Sequence, residues 1–355
     1  MNKKGLSIAV SGLNANDNPG PGVPVIRSIR ESAEFDGIIT GLAFDPLDPG
    51  IYMQGICDNV FLMPYPSQGA DRLLERIKEV HSKIRLDVII PTLDSELDAY
   101  IRISGELGKM GIKSFLPSAQ GLNVRSKTYF ERLSEMGVIV PQGQSITDMT
   151  SIYELDRKFK FPVMVKGQFY EAYIAYSPMD AEYYFRKISA KWGLPVVVQE
   201  YIVGQEYDVM AVGDGRGGLI GTVPIKKIQL TEKGKAWGGI TIDDSAMNRC
   251  VRDIIAKLKW RGPCELEIIK SRDTGDYYLI EINPRFPAWC YMSVGAGQNL
   301  PWATVKLALN EPVKEQPPCQ TGTMFLRNSI DHVYPISKYR EIMMAGELIG
   351  NITKE

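Results

Sequence analysis

Glu265, Glu267, Glu281 and Asn283 are of the types, and at the spacings, that could build a cation site. Two apolar strand candidates, Cys264 to Lys270 and Tyr277 to Asn283, flank Ser271-Arg-Asp-Thr-Gly-Asp276, a cluster of turn formers, so they read as a β-hairpin. With the turn centred on Thr274, Glu267 falls opposite Glu281 and Glu265 opposite Asn283, and the two-residue period of a strand puts all four on one face. Like charges opposed across a sheet repel, more so where water is excluded, and a bound cation relieves that repulsion. A donor set made only of oxygen points to magnesium, which keeps waters and takes one or two carboxylates together with substrate phosphates. Arg285, just past Pro284, is placed to meet such a phosphate with paired N–H donors. The plainer alternative is the wet face of an amphipathic hairpin, and a one-residue register slip would break the pairs. The run Glu-Ile-Asn-Pro-Arg, which carries the acidic face into an amide and a base, favours the cation.

The elements that must position this hairpin fall into two patterns. From the N-terminus, strand candidates Leu6 to Leu13, Gly37 to Leu42, Val60 to Met63 and Leu86 to Thr92 alternate with amphipathic segments Val23 to Ser32, Ala70 to Lys83 and Glu96 to Met110. This β-α-β alternation predicts an α/β, Rossmann-like unit over residues 1–117, with a parallel sheet covered by helices. Its opening loop, Ser11 to Gly22, does not fit the dinucleotide fingerprint and reads as an ordinary strand-to-helix turn rather than a phosphate cradle. After Ser118, short strands Phe161 to Lys166, Ala172 to Tyr176, Val196 to Ile202, Tyr207 to Val212 and Leu219 to Ile228 are interleaved with helices, predicting antiparallel α+β structure. Gln316-Pro-Pro318 marks the end of that unit and leaves 316–355 as a C-terminal extension packing on it.

Composition excludes several classes of protein. A chain of 355 residues, 44% of them hydrophobic, can bury a real core. Lys plus Arg at 41 against Asp plus Glu at 42 give no basic surplus, so nucleic acid is not an expected partner. No stretch is long and apolar enough to span a bilayer, so the expectation is a soluble, cytoplasmic protein without a membrane partner. The five cysteines are far apart without a C-x-x-C pair and read as free thiols. His81 and His332 have no accompanying triad signature, which argues against serine or cysteine nucleophile catalysis.

Leu279-Ile-Glu-Ile-Asn-Pro-Arg285, preceded by Glu267, resembles the metal-binding end of the ATP-grasp superfamily, most closely its carbamoyl-phosphate-synthase-like branch. Upstream, Phe161-Pro-Val-Met-Val-Lys166 is similar to the strand whose lysine touches the nucleotide phosphates, and Val197-Val-Gln-Glu-Tyr-Ile-Val-Gly-Gln-Glu206 resembles the hinge between the lobes. The resemblance covers 118 to 312. It implies a Rossmann-like pre-ATP-grasp domain (1–117) followed by a two-lobed ATP-grasp module (118–315), with a small lobe over about 118–200 and a large lobe over about 201–315. It further implies ATP and Mg²⁺ as cofactors, with Mn²⁺ as an alternative ion. Glu200, Tyr201 and Ile202 would meet the purine and Glu206 the ribose. Lys127 and Lys166 would meet the phosphates; Glu267, Glu281 and Asn283 would hold the metal; Arg285, with Lys226 in support, would act on the transferring group. Taken singly, Lys127 reads more readily as a solvated helix residue and Lys166 as a strand-end lysine, and Glu200 and Glu206 could be exposed strand ends; their order and spacing relative to the acidic hairpin select the site reading.

The implied activity is ATP-dependent carboxylate–amine ligation through an acyl phosphate, releasing ADP and phosphate, on a small-molecule or peptide carboxylate and an amine, with a homodimer left open. Phosphorylation of bicarbonate or another small acid is the alternative, and a non-catalytic ATP-binding sensor or scaffold the second. One departure concerns the glycine-rich flap of the family, since Lys166 is followed here by Gly-Gln-Phe-Tyr-Glu-Ala-Tyr. Ile225 to Gly239, rich in glycine and lysine, could replace it or be an exposed hairpin tip. Phe286, Trp289 and Tyr291 could line an acceptor pocket or be core.

Overall fold

The computed structural model describes every residue except 1, 2, 17, 169, 170, 232, 233, 235 and 351–355, and leaves the side chains of residues 3, 4 and 127 undescribed. Strands β1 (Lys3–Ser11), β2 (Phe35–Ala43), β3 (Asn59–Leu62) and β4 (Val88–Ile90) form a parallel sheet in the order β3-β2-β1-β4. The connecting helices Gly22–Arg30, Ala70–Lys83 and Asp94–Lys109 bury one apolar stripe each, as their spacing predicts; in the second, Leu73, Ile77 and Val80 point inward. Next come two antiparallel sheets. The first contains β5 (Gly143–Ile146), β6 (Val163–Gly167), β7 (Ala172–Ala175) and β8 (Val196–Glu200) in the order β5-β8-β6-β7. The second has six strands in the order β13-β12-β9-β10-β11-β14, with β9 Gly204–Asp214, β10 Leu219–Leu230, β11 Ala236–Thr241, β12 Arg261–Ser271, β13 Tyr277–Asn283 and β14 Met324–Leu326.

The four-stranded sheet has its own core, built from Val163, Val165, Val196, Val198 and the helix Pro178–Trp192. By contrast, the parallel sheet and the six-stranded sheet share one: Ile8, Val10 and Ile39 belong to the same packed cluster as Met210, Val223, Trp289 and Trp302. The N-terminal unit is thereby fixed against the acidic hairpin. The segment 316–355, expected to pack on the ATP-grasp module, is divided: β14 extends the six-stranded sheet, while β15 (Glu347–Ile349) pairs antiparallel with β3.

Gly22 brings the opening loop over the end of β1. A Cβ there would lie 2.1 Å from the carbonyl oxygen of Ser11, so only glycine lets the helix start so close to the strand. Just beside it Glu96, 1% exposed, accepts hydrogen bonds at Oε1 from the Ser11 hydroxyl, from Thr92 N at 2.8 Å and from Leu93 N at 2.9 Å, tying β1 to the start of the helix Asp94–Lys109. Burial, opposed by those hydrogen bonds, pushes the Glu96 carboxyl up to about 7 from its ordinary 4.5. The folded protein therefore holds this proton where the unfolded chain has lost it. The stabilisation is complete below pH 4.5 and is lost as the pH rises through about 7. Glu96→Gln is predicted to make the fall of the melting temperature across that window shallower than in the parent, by an amount worth at most about 3 kcal/mol. Parallel melting curves from pH 4 to 8 with identical slopes would refute it.

Candidate active site

The hairpin pairs Glu267 with Glu281 and Glu265 with Asn283, as the alternation requires. Close to the turn, however, the register is one residue tighter, with Lys270 opposite Tyr277 and Ile268 opposite Leu279; a bulge between Glu267 and Ile268 restores the expected pairing where the acids begin. The extra residue on β13 is Ile280. A bulge beside a site re-aims side chains, and this one lets Leu279 and Ile282 both enter the core while Glu281 keeps the outward face.

Glu206, Asp208, Lys227, Glu265, Glu267, Glu281, Asn283 and Arg285 all line one cavity of about 480 Å³. β9 lies between β10 and β12, and Asp208 pairs with Glu267 across one edge and with Ile225 across the other. Asp208, 4% exposed, is pushed up to about 7 by burial and by Glu265, against the pull of Lys227 at 3.1 Å. Glu267 is held well above the carboxylate range by burial and by Glu281, Asp208 and Glu265, which Lys227 only partly offsets. Burial alone would push Lys227 down, but Asp208, Glu267 and Glu206 hold it above the ordinary lysine range, and it forms ion pairs with Glu206 and Asp208.

Three carboxylates do share the face, but Glu265 is taken up elsewhere. Its Oε2 accepts from Arg285 Nη1 at 2.8 Å and its Oε1 from Trp289 Nε1 at 2.8 Å. Arg285 also donates through Nε to Asp94 at 3.2 Å, so the N-terminal unit contributes a residue to the site. Burial opposes the charge on Arg285, yet Asp94 and Glu265 raise it above the usual arginine range. Asn283 Nδ2 lies 3.4 Å from both Glu265 Oε2 and Glu267 Oε1.

Among the described residues no three His, Cys, Asp or Glu side chains group tightly enough to hold a metal by themselves. Glu267 and Glu281, which repel each other, and the Asn283 amide form an all-oxygen set that fits magnesium, which completes its shell with water and phosphate oxygens. They suit zinc poorly, since among the described residues no His or Cys lines the cavity.

Other expected positions lie apart from this cavity. Lys166, 4% exposed on β6, pairs with Val197, while Met164 pairs with Gln199; the four share one face of the four-stranded sheet. That face contributes Val197 and Gln199 to a second cavity of about 330 Å³ that also includes Gln142, Gln144 and Thr128. Gln199 is fully buried with neither end of its amide bonded. Glu200 ends β8 and exchanges backbone contact with Gln142; Tyr201 and Ile202 follow in the link to β9. Lys127 begins a short 3₁₀ turn, Lys127–Tyr129, and its side chain is outside the described residues.

Three expectations are corrected. Lys226 is exposed, and Lys227 lines the cavity in its place, because alternate residues of β10 face opposite sides. The opening loop is more than a connection: Asn14, Asn18, Pro19, Gly20 and Pro21 form cavity wall. Tyr291 donates to Glu31 at 2.8 Å under the Arg27 guanidinium, away from the cavity, because the chain turns after Trp289. Phe286, for which the sequence leaves pocket lining and core packing both open, is core, 1% exposed. In the segment after Lys166, Phe169 and Tyr170 are outside the described residues, as are Glu232, Lys233 and Lys235 of the β10–β11 tip; Gly234 and Ala236 of that tip line the cavity.

Asp208, Lys227, Asp94, Gln199 and Arg327 were not selected from the sequence. Only the first two carried a local signal, the two-residue period continuing from Glu206 and from Ile225.

A parallel-sheet unit followed by two antiparallel lobes with an acidic hairpin is the ATP-grasp arrangement, and the chain has the ATP-grasp fold. Residues 194–329 match the family described as "ATP-grasp in the biosynthetic pathway with Ter operon". Solved structures with the same fold include a biotin carboxylase from Campylobacter jejuni, 16% identical, with 90% of this chain and 74% of that chain covered at a TM-score of 0.70. They also include an N5-carboxyaminoimidazole synthase from Aspergillus clavatus (14% identical, 96% and 86% covered, TM-score 0.66). A third is an L-amino acid ligase from Bacillus licheniformis (14% identical, 86% and 75% covered, TM-score 0.64).

Proposed function

We propose that this protein is an ATP-dependent carboxylate–amine ligase working through an acyl phosphate. The observation that carries the reading is the pairing of Glu267 with Glu281 inside a cavity that also holds Asn283, Lys227 and Arg285. The ATP-grasp fold and the ligases that share it support the class. In this reading a carboxylate oxygen attacks the γ-phosphorus, the bond to the β,γ-bridging oxygen breaks and ADP leaves. An amine nitrogen then attacks the acyl carbon, the carbon–oxygen bond to the phosphoryl group breaks, and phosphate departs.

The chain's own contribution is placement and charge. Glu267, Glu281 and Asn283 would hold Mg²⁺, with Mn²⁺ as a substitute; bound there, the ion supplies positive charge to the β- and γ-phosphates. Lys166 and Lys127 would neutralise further phosphate charge. Glu206 would take the ribose, oriented by its ion pair with Lys227. The backbone of Glu200 to Ile202 would meet the purine edge, and the unbonded amide of Gln199 is suited to the same task, since a planar heteroaromatic edge offers a donor beside an acceptor. Arg285, fixed by Asp94 and Glu265, would stabilise charge on the transferring group.

ADP release in the presence of Mg·ATP, screened over small carboxylic acids, amino acids and peptides with and without amines, tests the function. Stimulation by an acid and amine together supports ligation; stimulation by bicarbonate alone would favour the small-acid alternative. Gln199→Leu is predicted to raise KM for ATP about tenfold, the cost of roughly one hydrogen bond lost in a buried site, with kcat little changed. An unchanged KM would remove Gln199 from the purine pocket.

A further inference from the structure

Among the described residues, three basic side chains line the acidic cavity: Lys227, Arg285 and Arg327. The first two are held by carboxylates, Lys227 by Glu206 and Asp208 and Arg285 by Asp94 and Glu265. Arg327 is different. It follows β14 directly, its backbone N–H donates to Trp237 O at 3.0 Å, and its guanidinium lies 5.9 Å from the Trp237 ring centre and 5.8 Å from that of Phe325. The guanidinium forms no hydrogen bond or ion pair with any described residue. Burial pushes it below the usual arginine range, with Cys290 and Glu265 only partly compensating. A partly buried guanidinium that meets no carboxylate among the described residues is suited to an anion that completes it, and aromatic rings on the protein side leave the cavity as the direction from which that anion comes.

We propose that Arg327 anchors a second anionic group of the acid substrate, so that the molecule activated here carries a carboxylate or phosphate besides the carboxylate that is phosphorylated. This rests on the ligase reading, in which the reacting carboxylate meets the γ-phosphate beside Glu267, Glu281 and Arg285. Asn14 and Asn18 add amide groups to the wall of the same cavity and are placed to help hold such a group.

The test is binding, read from tryptophan fluorescence and calorimetry on the full chain with and without saturating Mg·ADP. The probes are succinate and 3-phosphoglycerate, each compared with a singly charged counterpart, monomethyl succinate and glycerate. At least one doubly charged probe should bind more tightly than its counterpart. Arg327→Met should abolish that preference by weakening the probe about ten- to a hundredfold, as for loss of a charged hydrogen-bond pair, while leaving Mg·ADP affinity unchanged. Arg327→Lys, which keeps the charge and loses the fork, should show an intermediate loss, and it guards against a fold defect in the methionine variant. A preference for 3-phosphoglycerate alone identifies the second group as a phosphate; a preference for succinate identifies a carboxylate. The proposal is overturned if neither doubly charged probe is preferred, if Arg327→Met binds them as the parent does, or if that variant loses Mg·ADP instead. If Mg·ADP fails to bind the parent while the Arg327-dependent anion preference persists, it is the ligase reading that falls.

Discussion

Glu281→Gln is expected to lower turnover by about a hundredfold or more while the protein stays folded. The substitution keeps the size of the side chain and removes one of the two charges opposed on the hairpin. Glu281 is also among the neighbours that hold Glu267 well above the carboxylate range, so its neutralisation lets Glu267 ionise more readily and relieves repulsion in the metal-free protein. Two measurements should therefore move in opposite directions. Without metal or nucleotide the melting temperature should be unchanged or higher, and the stabilisation conferred by saturating Mg·ATP should shrink, since a ligand stabilises in proportion to how well the folded state binds it. A variant that melts lower without ligand yet still gains fully from Mg·ATP would make Glu281 a structural residue and remove the central support of the ligase reading.

The second large effect separates two neighbouring lysines. Lys227→Met is expected to lower kcat/KM for ATP on the order of a hundredfold, because it strips the cavity of the cation that Glu206 and Asp208 share. Asp208 is 4% exposed, and leaving a buried carboxylate without its partner should also cost about 3 kcal/mol of stability. Lys226→Met, one residue away on the exposed side of β10, should change stability by less than about 0.5 kcal/mol and leave kcat/KM for ATP as in the parent. Equal effects of the two substitutions, by steady-state kinetics and denaturant titration, would show that the strand does not present its side chains as described.

The same pair of lysines shows where reading the sequence stops. A strand alternates strictly between its faces, so the parity of a residue decides whether it meets the cavity, and parity counts from an anchor. For Glu265, Glu267, Glu281 and Asn283 the anchor was internal, a short turn joining two strands, and the pairing followed from it. Even there the bulge at Ile280 was invisible, because it offsets a turn one residue tighter than expected and so leaves the outer register unchanged. For β10 no short turn tied Lys226 or Lys227 to a partner of known direction. The glycine- and lysine-rich composition of the segment pointed to the right region and not to the right residue.

By itself, then, the sequence determined what local rules reach: the alternation that builds a parallel N-terminal sheet, the period that exposes one acidic face of a hairpin, and the order of the ATP-grasp motifs along the chain. Only the tertiary structure decided which distant groups complete that face. Asp94 meets Arg285 from 191 residues away, and the opening loop becomes cavity wall because Gly22 permits a close helix start and the N-terminal sheet shares a core with the six-stranded one. Arg327 comes to the cavity through the antiparallel pairing of β14 with β11. Such contacts are set by packing between elements, where no spacing within the chain records which surfaces will meet.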